Sequence, residues 1–472
     1  MTERTSALIL AAALASGAML RFAGLGAREM SADEGASWAA ASAPTINEVL
    51  RLQAQFNAGK LALHDVALHF WIGPFGDGLF AMRAMSAALG VVAIAMVYLV
   101  SRELMLVSTN SAVEYPPHES PMVAPVAALI FALSTVPIGY SREARMYPLL
   151  LVAILAQVWM LLRAARIGGI GNYFGVGTFT AIAVAAHFTA LCVLASEGVW
   201  LAYLIFSTGR RNFATEQSSK MYRISDRTAP WKLAGSIGLG VVVIAPVMRG
   251  GIEVSAAAVE AGAINWIPRP TILSAVTIFK SGAGGFILLI AALIGAVLGW
   301  RRARGAVLFA LIWMWVPVVF LLLVSYALTP ILVERYVLSS FVGLCFLIAL
   351  AICTLKPRCA TIALVIVAIL ALGQDLRFFA HHHNDAQWRE ATVEAISNTN
   401  PGQSIGVVPA YAANVVRYYA GAQRRADIAG GADNSSLVIV FDQGLSPKKA
   451  TALRAEFPQT VARFDRLVLI RR

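Results

Sequence analysis

Long apolar runs broken by short polar clusters repeat along most of the chain. Runs long enough to cross a hydrocarbon core lie near 7–26, 79–100, 122–139, 148–163, 172–188, 190–207, 233–248, 282–300, 305–327, 337–355 and 359–373. That pattern predicts about eleven membrane spans. The 172–207 stretch makes two of them only if a tight turn near His187 splits it. The first run follows Arg4 and imitates a signal peptide, but the runs behind it favour an uncleaved first span.

Two polar regions carry other periodicities. In 27–78 the stretch "INEVLRLQAQF" spaces Ile46, Val49, Leu50, Leu52 and Phe56 as a helix lying in the membrane interface would. From Gln374 to Arg472 the composition turns polar and reads as a small soluble α/β unit. "IGVVPA" and "LVIVFD" have the form of buried strands, "SPKKATALRAEF" of an amphipathic helix and "ARFDRLVLI" of a final strand. The expected organisation is a membrane domain over 1–373, with 27–78 as its first outer loop, and a soluble domain over 374–472. No internal repeat is visible.

Composition excludes an ordinary soluble domain: 58% of the residues are hydrophobic and 14% charged, and the mean hydropathy is +0.70. The net charge of +12 is not a nucleic-acid footprint. Its basic residues gather between apolar runs, at Arg4, Arg102, Arg163 with Arg166, Arg210 through Lys232, Arg301 to Arg304, and Lys356 with Arg358. Placing these clusters inside puts the N-terminus in the cytoplasm and the C-terminal unit outside. It also gathers Asp33-Glu34, "SREARMY", the 249–275 loop and "LVERY" on the outer face. Cys192, Cys345, Cys353 and Cys359 lie in or beside apolar runs and read as small fillers, not as a disulfide framework.

Candidate chemistry concentrates on that face. Asp33 and Glu34 follow Ser31, a plausible N-cap, so they could simply cap a helix. A carboxylate there could also serve as a general base, made more basic by partial desolvation. "YSREARMYPLL" packs Arg142, Glu143 and Arg145 between two spans, more charge than a tight turn needs. Arg335 in "LTPILVERYVLSSF" either snorkels to headgroups or holds a phosphate by a forked pair of hydrogen bonds. His187 and Glu197 interrupt apolar runs, and His64, Asp65 and His69 stand at helical spacing, but no tight metal motif is present. The histidine run before Trp388 reads as a solvated linker, with adventitious metal binding as the alternative.

Taken in order, the Asp-Glu pair, "LHFWIGPFGDGLFAMRAMSAALGV", "SREARMYPL", "AHFTAL", "ERYVL", "DAQWREA" and "VRYYAG" make the chain resemble a bacterial membrane glycosyltransferase of the GT-C type, family 39. This is the superfamily of protein O-mannosyltransferases and lipid A aminoarabinose transferases, and the likeness is nearest to its RgtA/B/C/D-like group. The resemblance implies a multi-pass inner-membrane enzyme with a GT-C fold and a periplasmic active site. It implies an inverting transfer from a polyprenyl-phosphate sugar to a glycolipid or protein acceptor, among membrane lipids and with no nucleic acid. By position, Asp33 would take the acceptor's proton, with Glu34 beside it and Glu143 lining the pocket. Arg335 would hold the departing phosphate near Arg145 and Tyr147. His187, His64 and Asp65 would line the pocket or hold a metal; no cofactor is required, and a divalent metal stays open. One departure stands out: many relatives carry a His-Pro-Pro-Leu-Tyr-Tyr run where this chain has Lys60, Leu61, Ala62, Leu63, His64 and Asp65.

The chemistry agrees independently. A sugar on a lipid phosphate already has its leaving group, so the reaction needs a base and cations for the developing charge. A transporter or flippase of lipid-linked saccharides would show internal repeats and polar breaks in mid-membrane. A ligase or polymerase of envelope polysaccharide would share this topology and its substrates.

Overall fold

The computed structural model describes residues 3–57, 60–108, 120–209, 224–225, 227–260, 267–283, 286–381, 387–441, 445 and 447–472. Part of the histidine run (382–386) and the basic cluster from Arg210 to Arg223 lie outside them.

Helix α1 (Glu3–Phe22) leads into the first polar region, which holds α2 (Ala32–Ala41), α3 (Ile46–Phe56) and α4 (Leu63–Phe75). The apolar part continues with α5 (Leu79–Ser108), α6 (Ser120–Ala132), α7 (Thr135–Ser141), α8 (Tyr147–Ile167), α9 (Ile170–Ala186) and α10 (Ala190–Gly209). It ends with α11 (Ala229–Glu260), α12 (Ile272–Ala283), α13 (Phe286–Trp300), α14 (Arg304–Ala327), α15 (Ser340–Cys353) and α16 (Pro357–His381). Among the described residues six helices are long and apolar enough to cross a membrane, or up to seven if the bent pair α6–α7 is one span. Four shorter apolar helices, α9, α10, α13 and α15, accompany them.

Local chemistry explains the breaks. The axes of α6 and α7 meet at 60°. Ser134 bonds back through Oγ to the Ile130 carbonyl at 2.7 Å, and Pro137 has no N–H for the helix ladder. The 172–207 stretch divides at His187, which ends α9 in extended backbone. The second run is one 30-residue helix rather than 79–100 alone. Helix α16 runs on past Gln374 to His381, because Asp375 is buried and accepts from Thr135 Oγ1 at 2.6 Å. All four cysteines are free, and Cys359 is exposed rather than a core filler.

The C-terminal unit comprises α17 (Trp388–Ser397), β1 (Ile405–Val408), α18 (Ala413–Arg424), β2 (Ile428–Gly430), β3 (Leu437–Phe441), α19 (Pro447–Glu456), β4 (Gln459–Arg463) and β5 (Leu467–Arg471). The sheet order is β2-β1-β3-β5-β4. Strand β1 runs parallel to β2 and β3, while β5 is antiparallel to β3 and β4. The stretch expected as one final strand is a hairpin, since polar Asp465 and Arg466 turn the chain between β4 and β5. Alternation divides the sheet's two faces: Ile405, Val407, Leu437 and Ile439 pack with α17 and α18, whereas Val438, Val440 and Ile470 pack with Leu453 and Phe457.

This unit is fused to the first polar region by a shared apolar core containing Trp38, Leu68, Trp388 and Val415. A Cβ on Gly35 would stand 2.8 Å from Val415 Cγ2 and 3.0 Å from its amide nitrogen, so α2 and α18 meet where only glycine fits. Trp38 meets Tyr418 edge-on at 5.2 Å. The Glu29 carboxylate accepts from the Trp388 and Arg389 amides at 2.7 and 3.0 Å, satisfying the first turn of α17.

Candidate active site

Ser31 starts α2 with a capping box: its Oγ accepts from the Glu34 amide at 3.2 Å, and Glu34 Oε2 accepts from the Ser31 amide at 3.0 Å. Glu34 is buried and faces away from solvent. Its Oε1 also accepts from the Ala144 amide at 2.9 Å, and Arg83 grips both carboxylate oxygens. Burial alone would raise Glu34, but the Arg83 charge and these hydrogen bonds hold it at about 2. The structure thus places Glu34 in the scaffold.

Asp33, one residue earlier, points outward with its side chain 54% exposed. Arg335 donates from Nη1 to its Oδ2 at 3.3 Å. Arg145 Nη2 stands 3.9 Å from the same oxygen. Arg145 is fixed by Nη1, which donates to the Asp33 carbonyl at 2.8 Å, Ser37 Oγ at 3.0 Å and Asn57 Oδ1 at 2.7 Å. The Arg145 charge holds Asp33 below the ordinary carboxylate range; desolvation opposes it, and Arg335 and Lys60 reinforce it. The expected gain in basicity from desolvation is therefore overridden: the resting carboxylate is ionised and weakly basic.

The other residues of "SREARMY" have separate tasks. Arg142 donates to the Leu20 and Ala23 carbonyls at 2.9 and 2.7 Å and closes the C-terminal end of α1. Glu143 lies 3.8 Å from Arg28 Nη1. Burial, with Glu34 and Asp33 adding repulsion, pushes it up to about 7.

Lys60, whose charge acts on Asp33, is buried with Nζ 2.7 Å from Asp65 Oδ2. Burial lowers its ammonium to about 8 against the pull of Asp65. Asp65 Oδ1 meets His64 Nδ1 at 3.5 Å. Burial brings His64 down to about 4, so it is neutral at pH 7, while Lys60 and His64 outweigh burial to keep Asp65 ionised. His187 Nδ1 accepts from the Thr189 amide at 3.1 Å, which leaves the proton of the neutral ring on Nε2. Burial, then Lys60, Arg145 and Arg335, lowers His187 to about 3. Its ring lies between Tyr147 and Tyr336, at 6.1 and 5.3 Å.

The fold therefore brings Asp33, Arg145 and Arg335 together, with Lys60, Tyr147 and His187 around them, and ties His64 and Asp65 to Lys60. Among the described residues no group of three or more His, Cys, Asp or Glu side chains fits a metal ion. Asn57 and Ser37 were not singled out in the sequence, and Lys60 was named only as the first residue of the departing 60–65 run, without a role. It could have been given one, as a lone cation interrupting an apolar lead-in to a helix. Beside Glu334 a groove of about 850 Å³ opens between α12, the segment before Arg335 and α16. Ile278, Leu332, Ile369 and Leu370 make it apolar, and Arg269 and Arg377 add positive charge.

No protein-family model matches the chain, and no curated protein matches it by sequence. Solved structures do match. ArnT from Cupriavidus metallidurans in the apo state is 14% identical, with a TM-score of 0.63 over 99% of this chain and 98% of that one. The same protein bound to undecaprenyl phosphate is 13% identical at a TM-score of 0.63, covering 100% and 98%. The Archaeoglobus fulgidus oligosaccharyltransferase, a complex with Zn and sulfate, is 12% identical at a TM-score of 0.52, covering 92% of this chain and 68% of that one. Identities this low speak to architecture: the chain has the GT-C fold, with a small C-terminal sheet domain.

Proposed function

We propose that this GT-C-fold membrane protein is an inverting glycosyltransferase that moves a sugar from a polyprenyl phosphate to a hydroxyl of an envelope acceptor, at the periplasmic face of the inner membrane. The observation that carries the reading is Asp33 Oδ2, outward-facing and shared between Arg335 at 3.3 Å and Arg145 at 3.9 Å. A base and a phosphate-binding cation in contact are what displacement of a lipid phosphate requires. ArnT, whose fold this chain shares, has been captured with undecaprenyl phosphate, which supports the same lipid as the donor's carrier here.

In this reading the polyprenyl chain lies in the groove beside Glu334 and its phosphate meets Arg335, with Lys60 and Arg145 adding positive field. Binding a phosphate draws Arg335 away from Asp33, which raises the basicity of that carboxylate as the substrate arrives. The acceptor hydroxyl oxygen then forms a bond to the anomeric carbon on the face opposite the phosphate. The carbon–oxygen bond to phosphate breaks, its electron pair leaves with the polyprenyl phosphate, and Asp33 receives the acceptor's proton.

The test is turnover of a synthetic undecaprenyl-phosphate sugar panel by purified protein in nanodiscs, read as undecaprenyl phosphate released. Wild-type turnover abolished by Asp33→Asn supports the proposal. Turnover by the variant at the wild-type rate would defeat it, as would no consumption of any donor by the wild type.

A further inference from the structure

The C-terminal domain docks through the carboxyl end of its parallel strands. A single turn of 3₁₀ helix, Ala410–Ala412, follows β1 and packs on α2, the helix that carries Asp33. The contact is tight: Gly35 lies against Asn414 and Val415 at the start of α18. In open α/β sheets ligands bind outside the carboxyl ends of the strands, and here that edge packs on the helix that carries Asp33. Tyr411 is the large side chain of the turn, and it is 54% exposed while its neighbours Ala412 and Ala413 are buried. Burial and then the Asp33 charge raise its phenol.

We propose that the turn after β1 is the acceptor platform, on which Tyr411 stacks against a saccharide ring whose hydroxyl reaches Asp33. This rests on the transferase reading above. A sugar has an apolar C–H face that suits an aromatic ring and hydroxyls that suit a carboxylate, and the pair Tyr411 and Asp33 offers both. The C-terminal domain thereby completes a site whose donor side belongs to the membrane domain.

Two ligands separate this proposal from its premise. Full-length protein in nanodiscs is titrated with undecaprenyl phosphate and with free core oligosaccharide released from lipopolysaccharide. Tyr411→Ala is expected to weaken the oligosaccharide about tenfold and leave undecaprenyl phosphate unchanged. Tyr411→Trp, which keeps an aromatic face, restores oligosaccharide binding, and Arg335→Ala weakens undecaprenyl phosphate alone. The platform is overturned if Tyr411→Ala binds the oligosaccharide as wild type does, if it weakens both ligands together, or if wild type binds only a serine- and threonine-containing peptide. Loss of the Arg335 effect with the Tyr411 effect intact would instead remove the donor assignment and keep the platform.

Discussion

Arg83 holds Glu34 by two parallel hydrogen bonds, Nε to Oε1 at 2.8 Å and Nη2 to Oε2 at 2.9 Å, with both side chains buried. Arg83 also donates to the carbonyls of Leu25, Arg28 and Glu29. The pair ties α5 to the start of α2 and so sets where Asp33 emerges. Removing one partner leaves an uncompensated charge in the interior, so Arg83→Met is expected to destabilise by about 3–5 kcal/mol. The double variant Arg83→Met with Glu34→Gln should recover part of that loss. Thermal unfolding in detergent measures both, and an unchanged melting temperature for Arg83→Met would contradict the latch.

Asp33→Asn should behave in the opposite way. The side chain is half exposed, so the melting temperature stays near wild type, while transfer falls by about 10²–10⁴-fold. Because Arg145 depresses its titration, the ionised form persists as pH falls past the ordinary value of 3.8. In the donor-free protein, infrared titration against Asp33→Asn should show this carboxylate protonating only below that pH. Protonation above it would count against the Arg145 contact.

Glu143 carries a signature near neutrality. Its folded value of about 7 lies above the ordinary 4.5. The protonated form therefore favours the fold: this contribution is fully present below 4.5 and is lost as pH rises through about 7. Glu143→Gln should flatten the melting temperature across that window. A variant whose pH profile still overlays wild type would assign the slope to another group.

Arg145→Lys tests geometry rather than charge. Lysine keeps the cation, but one ammonium cannot reach the Asp33 carbonyl, Ser37 and Asn57 while its charge faces the Asp33 carboxylate. Turnover should fall by about 10²-fold, with the loss in kcat rather than in donor affinity. A loss confined to KM would point to donor binding instead.

Gly35→Val should prise α18 from α2. The expected result is faster tryptic release of the C-terminal domain and a fall in acceptor use, with undecaprenyl phosphate binding preserved. Wild-type protease resistance would show that the interface accommodates a larger side chain.

The apolar runs and their spacing determined a multi-span helical membrane protein with an amphipathic helix over 46–56 and a polar α/β tail, because burial in lipid is written directly into local composition. They could not fix helix ends. Residues 79–108 continue as one helix beyond the apolar run, and Asp375 stays on α16, because a buried tertiary partner such as Thr135 outweighs local polarity. The early Asp-Glu pair was legible as a candidate pair of acids, yet nothing in adjacent residues distinguishes their roles. Only the arrival of Arg83 on one and of Arg145 and Arg335 on the other did that. Lys60, from the same polar region, and Tyr411, from the C-terminal domain, both interact electrostatically with Asp33. Charge and hydrophobicity along a sequence are local quantities, whereas the field at a carboxylate sums over everything the fold brings near it.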